Sequence, residues 1–104
     1  MAPRPQPSSF VTGAASGIGL ALARALAARG HSVTLADRDA AALTRATEAL
    51  CRDGVDAHAE VLDVTDRDAV RLAIERCAAL YGHLDFVFNN AGIGIGGELR
   101  DMQP

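Results

Sequence analysis

Short runs rich in apolar and β-branched residues alternate along this chain with longer stretches in which apolar side chains recur every three or four positions. The short runs predict strands over residues 9–12, 32–36, 57–62 and 85–88. The longer stretches predict helices over residues 17–29 and 39–53 and a third that starts from Thr65. In the first helix Ile18, Leu22 and Leu26 share one stripe, with small Ala21 and Ala25 leaving room for close approach to a sheet. Leu43, Ala46 and Leu50 form the stripe of the second. The third presents Val70, Ala73, Ile74, Cys77 and Leu80, with Thr65 placed to cap it and Asp68 three residues further on. Gly30, Gly54 and Gly82 stand where the three helical periods stop, as residues that close helices do. Strand alternating with helix implies right-handed βαβ units and a parallel sheet, an α/β fold.

At 104 residues the chain has room for one core and not two. Pro3, Pro5 and Pro7 make residues 1–7 an expected disordered leader, with no apolar segment behind them to form a signal peptide. The apolar share of 49% and charged share of 22% are those of a soluble globular protein, and a net charge of −3 gives no electrostatic case for nucleic acid or an acidic membrane. No apolar run approaches the ~18 residues of a membrane span. Cys51 and Cys77 sit singly in helical patterns, as free thiols of a reducing cytoplasm would. His31, His58 and His83 also fall singly, near strand starts, and read as surface or edge residues rather than metal ligands.

The candidate chemistry lies at the carboxyl ends of the strands. Thr12-Gly13-Ala14-Ala15-Ser16-Gly17-Ile18-Gly19 reads as strand, glycine turn, helix. Its three glycines serve a tight turn off the strand, close backbone approach by a diphosphate, and close packing of helix on sheet. The helix's first N–H groups then face the anion. Asp37 ends the second strand, near the ~20-residue offset of a ribose-binding carboxylate. Asp63 follows the third strand and Asn89-Asn90-Ala91-Gly92 the fourth. Open α/β sheets bind ligands at such strand ends.

Together these four motifs, in this order, resemble the N-terminal half of the short-chain dehydrogenases/reductases, and the resemblance covers nearly everything after the leader. It implies a Rossmann-type parallel sheet of four strands in the order 3-2-1-4, helices on both faces, truncated before strand five. Residues 8–104 are then a partial NAD(P)-binding domain, and Phe86, Val87 and Phe88 an apolar strand whose outer neighbour is missing. By the same resemblance Gly13, Gly17 and Gly19 form the turn under the diphosphate, with the backbone of Ser16 and Ile18 close by. Asp37 accepts from the adenosine ribose, Asp63 receives the adenine amino group beside the Val64 backbone, and Asn89 with the Ala91-Gly92 backbone floors the nicotinamide half. The expected cofactor is NAD, with NADP disfavoured because Asp37 repels a 2′-phosphate and Ser16 before Gly17 is neutral. Arg38 is the counterweight, since an arginine there can greet that phosphate. The expected partners are this dinucleotide and a small alcohol or carbonyl substrate, in a parent that forms homo-oligomers.

The family's proton-transfer chemistry uses a serine and a Tyr-x-x-x-Lys pair. All ten basic residues here are arginines, and the lone tyrosine, Tyr81, has Asp85 four places on, so it reads as packing. Ser8, Ser9, Ser16 and Ser32 lie at or before the second strand, where none matches the catalytic serine. No catalytic residue is therefore expected in this chain. Two readings stay open: the cofactor-binding part of an oxidoreductase, and a non-catalytic nucleotide-binding or regulatory module. The glycine spacing and the Asn-Asn-Ala-Gly segment argue against a Rossmann-like methyltransferase, and the absence of lysine excludes a P-loop enzyme.

Overall fold

The computed structural model describes residues 6–90. The chain runs β1 (Ser8–Thr12), α1 (Gly17–Ala28), β2 (Ser32–Asp37), α2 (Ala40–Arg52), β3 (Ala57–Val61), α3 (Arg67–Tyr81) and β4 (Phe86–Phe88). All pairings are parallel and the strand order is β3-β2-β1-β4, with Phe10 opposite Thr34 on one side and Val87 on the other. This is the Rossmann-like arrangement the sequence implies. The direction of progress along the sheet reverses after β3, and right-handed crossovers put α1 and α2 on one face and α3 on the opposite face.

Strand alternation divides the core accordingly. Val11, Val33 and Leu35 point to the α1/α2 face, where they pack with Ala23, Leu26, Leu43, Ala46 and Leu50. Phe10 and Ala36 point to the other, against Leu62, Ala73 and Cys77. β1, paired on both sides, is buried from end to end. Ser32, the first residue of β2, donates its N–H to the Pro7 carbonyl at 2.8 Å and its hydroxyl to Gln6 Oε1 at 3.0 Å. Residues 1–5 of the expected leader lie outside the described residues.

Two expectations about helix faces and one about a helix cap are corrected. α1 buries Gly19, Ala23 and Leu26, whereas Ile18 is 72% exposed and Ala21 and Ala25 are exposed. The helix is rotated because the glycine turn draws Gly19, and not Ile18, against the end of β1. Leu43, Ala46 and Leu50 of α2 are buried as expected. In α3 Ala73 and Cys77 are buried but Leu80 is 59% exposed, because the stripe that meets the sheet runs from Ala73 through Cys77 to Tyr81 at four-residue steps and Leu80 falls beside it. That helix is capped by Asp66, whose carboxylate accepts the Ala69 N–H at 3.1 Å. Thr65 instead gives both its N–H and its hydroxyl to Asp63, so the expected Thr65–Asp68 box does not form.

The helix stops are as read. At α1 the Gly30 N–H reaches the Ala27 carbonyl at 2.9 Å and the His31 N–H reaches Leu26 at 3.1 Å, with Gly30 at φ +90°. These are the paired hydrogen bonds of a Schellman motif. α2 repeats it with Gly54 and Val55.

Candidate functional site

The carboxyl ends of β1, β2 and β4 meet the start of α1, and the glycine turn occupies the junction. Gly13 and Gly17 adopt φ of +63° and +59°, the left-handed region that an L side chain resists. Gly19 has an ordinary helical backbone but no room for a side chain. A Cβ there would overlap the Gly13 carbonyl oxygen and lie 2.7 Å from Asn90 Nδ2. Two glycines thus shape the turn and the third lets the helix close onto it. Ser16, at the N-cap of α1, makes no side-chain capping bond, while Asp39 and Asp66 cap α2 and α3. Ser16, Gly17 and Ile18 are exposed, so a ligand can reach their backbone.

Asp37 closes β2 with its carboxylate turned toward this junction. Oδ2 accepts the Ala15 N–H and Oδ1 the Asp39 N–H, each at 3.0 Å. Arg38 beside it is exposed. Asp63, two residues beyond β3, receives the Thr65 N–H at 2.9 Å and the Thr65 hydroxyl at 2.7 Å. Those two bonds, with the nearby Arg38 charge, hold its carboxyl below the usual carboxylate range. An ionised Asp63 is an acceptor only, as an adenine amino group requires.

On the β4 side Asn89 is tied to β1: the buried Thr12 hydroxyl donates to Asn89 Oδ1 at 3.0 Å. The same Oγ1 accepts the Asn90 N–H at 2.7 Å. Asn89 itself is exposed rather than buried, which leaves its amide group accessible from the cleft. Ala91 and Gly92 lie outside the described residues. Thr12, Val64 and Asn89 also line a groove of about 550 Å³ that continues along α3 past Val70 and Ile74.

Thr12 and Asn90 carry no role in the sequence reading, yet they join the turn to β4. A polar residue at the end of a buried central strand was the available signal for Thr12. The closeness of Asn90 to Gly19 had none, because the two lie on different elements.

The remaining polar groups sit elsewhere. His31, His83 and Asp85 cluster at the amino ends of β1, β2 and β4, with His31 Nδ1 2.6 Å from Ser9 Oγ and His83 Nδ1 2.7 Å from Asp85 Oδ2. The Ser8 N–H, then His83 and His31, lower the Asp85 carboxyl despite some desolvation. Tyr81 packs against the second core cluster and its hydroxyl reaches Asp56 at 3.4 Å. Burial, then the negative charge of Asp56, pushes the phenol up to about 12. A phenol so placed, at the sheet end opposite the turn, takes no part in the cleft. Among the described residues no cluster of metal-binding side chains occurs, no helix is long and apolar enough to cross a membrane, and Cys51 and Cys77 are free thiols.

Comparison with known proteins agrees with this fold. The family model for short chain dehydrogenase matches residues 8–104. A Streptomyces virginiae protein of the monensin polyketide synthase, named as a ketoacyl reductase, is 44% identical over 94 residues, covering 90% of this chain and 36% of the relative. Among solved structures, a Burkholderia phymatum short chain dehydrogenase/reductase in complex with NAD superposes with a TM-score of 0.77 at 28% identity, over 79% of this chain and 29% of that one. A variant of actinorhodin polyketide ketoreductase with NADPH gives 0.80 at 34% identity, over 88% and 35%. The chain thus spans about a third of the length of these three relatives.

Proposed function

The chain belongs to the short-chain dehydrogenases, an oxidoreductase family, and from that footing we propose that it is the cofactor-binding part of an enzyme that moves hydride between a nicotinamide dinucleotide and an alcohol or carbonyl. The observation that carries this reading is the junction at the end of β1. There a turn with two left-handed glycines, a third glycine with no room for Cβ, and the Asp37 carboxylate converge on one exposed cleft. The residues fit the group: bare backbone for a diphosphate, a carboxylate for a ribose diol, an ionised Asp63 for an adenine amine.

In this reading the exposed backbone of Ser16, Gly17 and Ile18 binds the diphosphate. Asp37 orients the adenosine ribose, and Asp63, next to Val64, receives the adenine edge. Asn89, held by Thr12, lies under the nicotinamide half. When bound, the cofactor supplies or accepts hydride; this chain's residues position it. NAD is preferred to NADP, because a carboxylate at Asp37 attracts hydroxyls and repels a 2′-phosphate, while Arg38 moderates that preference. Likeness to proteins named as ketoreductases supports a carbonyl as the reducible group.

Calorimetric titration of the chain with NAD and NADP tests the proposal. NAD binding that is lost in Gly17→Asp and is tighter than NADP binding supports it. Absence of binding to either dinucleotide overturns it, and tighter NADP binding overturns the cofactor preference.

A further inference from the structure

Both carboxylate oxygens of Asp37 are occupied by backbone amides, and one of those amides belongs to the glycine turn. Oδ2 accepts the Ala15 N–H at 3.0 Å and Oδ1 the Asp39 N–H at 3.0 Å. One residue earlier, the Ala36 carbonyl accepts the Ala14 N–H at 3.1 Å. Two successive amides of the turn are therefore tied to two successive residues at the end of β2, the first by main chain and the second by a side chain.

We propose that Asp37 is a positioning residue for the glycine turn as well as the ribose acceptor, so that its carboxylate holds the turn's backbone in the conformation that receives a diphosphate. The role rests on the dinucleotide reading above. A turn containing Gly13 and Gly17 has many conformations to lose, and something must select the one with amides facing the cleft. Ala15 is buried, so its N–H is left without a partner if the carboxylate is removed. An ionised carboxylate has about four acceptor sites. The two backbone bonds use two of them and fix the plane of the group, which leaves one lone pair on each oxygen for a vicinal diol. Bracing the turn and aiming at the ribose are then consequences of one geometry. A substitution made at Asp37 to relax cofactor preference also loosens the diphosphate site.

The test compares the wild-type chain with Asp37→Ala and Asp37→Asn, using inorganic pyrophosphate as the probe because it carries no ribose. Loss of a negative charge beside an anion site strengthens pyrophosphate binding by Coulomb's law, so a brace predicts the opposite sign for alanine. Asp37→Ala is expected to bind pyrophosphate several-fold more weakly and to exchange the Ala15 amide faster, while the amides of Phe10 and Leu35 stay protected and show the sheet intact. Asp37→Asn, which keeps an oxygen for Ala15, is expected to retain that protection and to bind pyrophosphate at least as tightly as wild type. Unchanged or tighter pyrophosphate binding in Asp37→Ala, or unchanged Ala15 exchange, overturns the positioning role while NAD binding by the wild type leaves the dinucleotide reading standing. A wild-type chain that binds neither NAD nor pyrophosphate overturns both.

Discussion

Gly17 and Gly19, two residues apart, are glycine for different reasons, and substitution separates them. At Gly17 the backbone is left-handed with open space around the missing Cβ, so Gly17→Ala carries only conformational strain, about 1 kcal/mol. At Gly19 the backbone is ordinary but the Cβ would overlap the Gly13 carbonyl. Gly19→Ala must push α1 off the end of β1, and a loss of about 3 kcal/mol is expected, at the upper end of overpacking effects. Urea unfolding midpoints of the two variants check the order. Equal losses would mean that the turn yields to the methyl group and that helix packing does not require the third glycine.

At the scale of elements, α3 provides two measurements. Its cap is Asp66, so Asp66→Ala is expected to cost about 1 kcal/mol and Thr65→Ala no more than about 0.5 kcal/mol. The reverse order would restore Thr65 as the cap. α3 is also clamped to the edge strand β3, where Glu60 takes Arg76 Nη2 at 2.7 Å and His58 Nε2 at 3.2 Å. Burial raises the Glu60 carboxyl, but the bonds and charges of Arg76 and His58 outweigh it, and the net shift is below the ordinary 4.5. The unfolded chain therefore takes up this proton first as pH falls. The clamp's contribution is complete above the ordinary glutamate range and disappears as pH drops through the lower folded value. Stability measured from pH 6 to pH 3 is expected to fall less steeply in Glu60→Gln than in wild type; parallel curves would show that the clamp carries no proton linkage.

For the whole molecule the consequential surface is the outer side of β4. Among the described residues this strand pairs only with β1, and Phe86 and Val87 are 48% and 49% exposed. An apolar edge of this kind recruits further chains. The 104-residue chain is expected to self-associate, with sedimentation showing concentration-dependent oligomers that Val87→Lys reduces. A wild-type chain that stays monomeric would show the edge to be protected. The chain alone is also expected to show no turnover of alcohols or ketones with either dinucleotide, because it has no lysine to complete a tyrosine–lysine pair and Tyr81 is remote from the cleft. Measurable hydride transfer that is lost in Gly17→Asp would refute this.

The fold class and the address of the candidate site were legible in the residues because both depend on local order along the chain. A strand followed by Thr12-Gly13 and then an alanine-rich helix can hardly be read otherwise, and Asp37, Asp63 and Asn89 each mark the end of a strand by being the first polar residue after an apolar run. Periodicity likewise sufficed for α2, whose stripe is unambiguous. It failed for α1, where nearly every position is alanine, leucine or glycine and several stripes look equally apolar; only contact between Gly19 and Gly13 selects the true face. It failed at the start of α3 because Thr65 and Asp66 both suit a cap, and the choice went to Asp66 once Asp63 had engaged Thr65. The ties from Thr12 to Asn89 and Asn90, from Ala15 to Asp37, and from Glu60 to Arg76 join residues 16 to 78 positions apart. Hydrogen bonds of that span depend on which strand lies beside which: local order along the chain sets the elements and the kind of chemistry at their ends, and only the assembled sheet sets which of those ends hold one another in place.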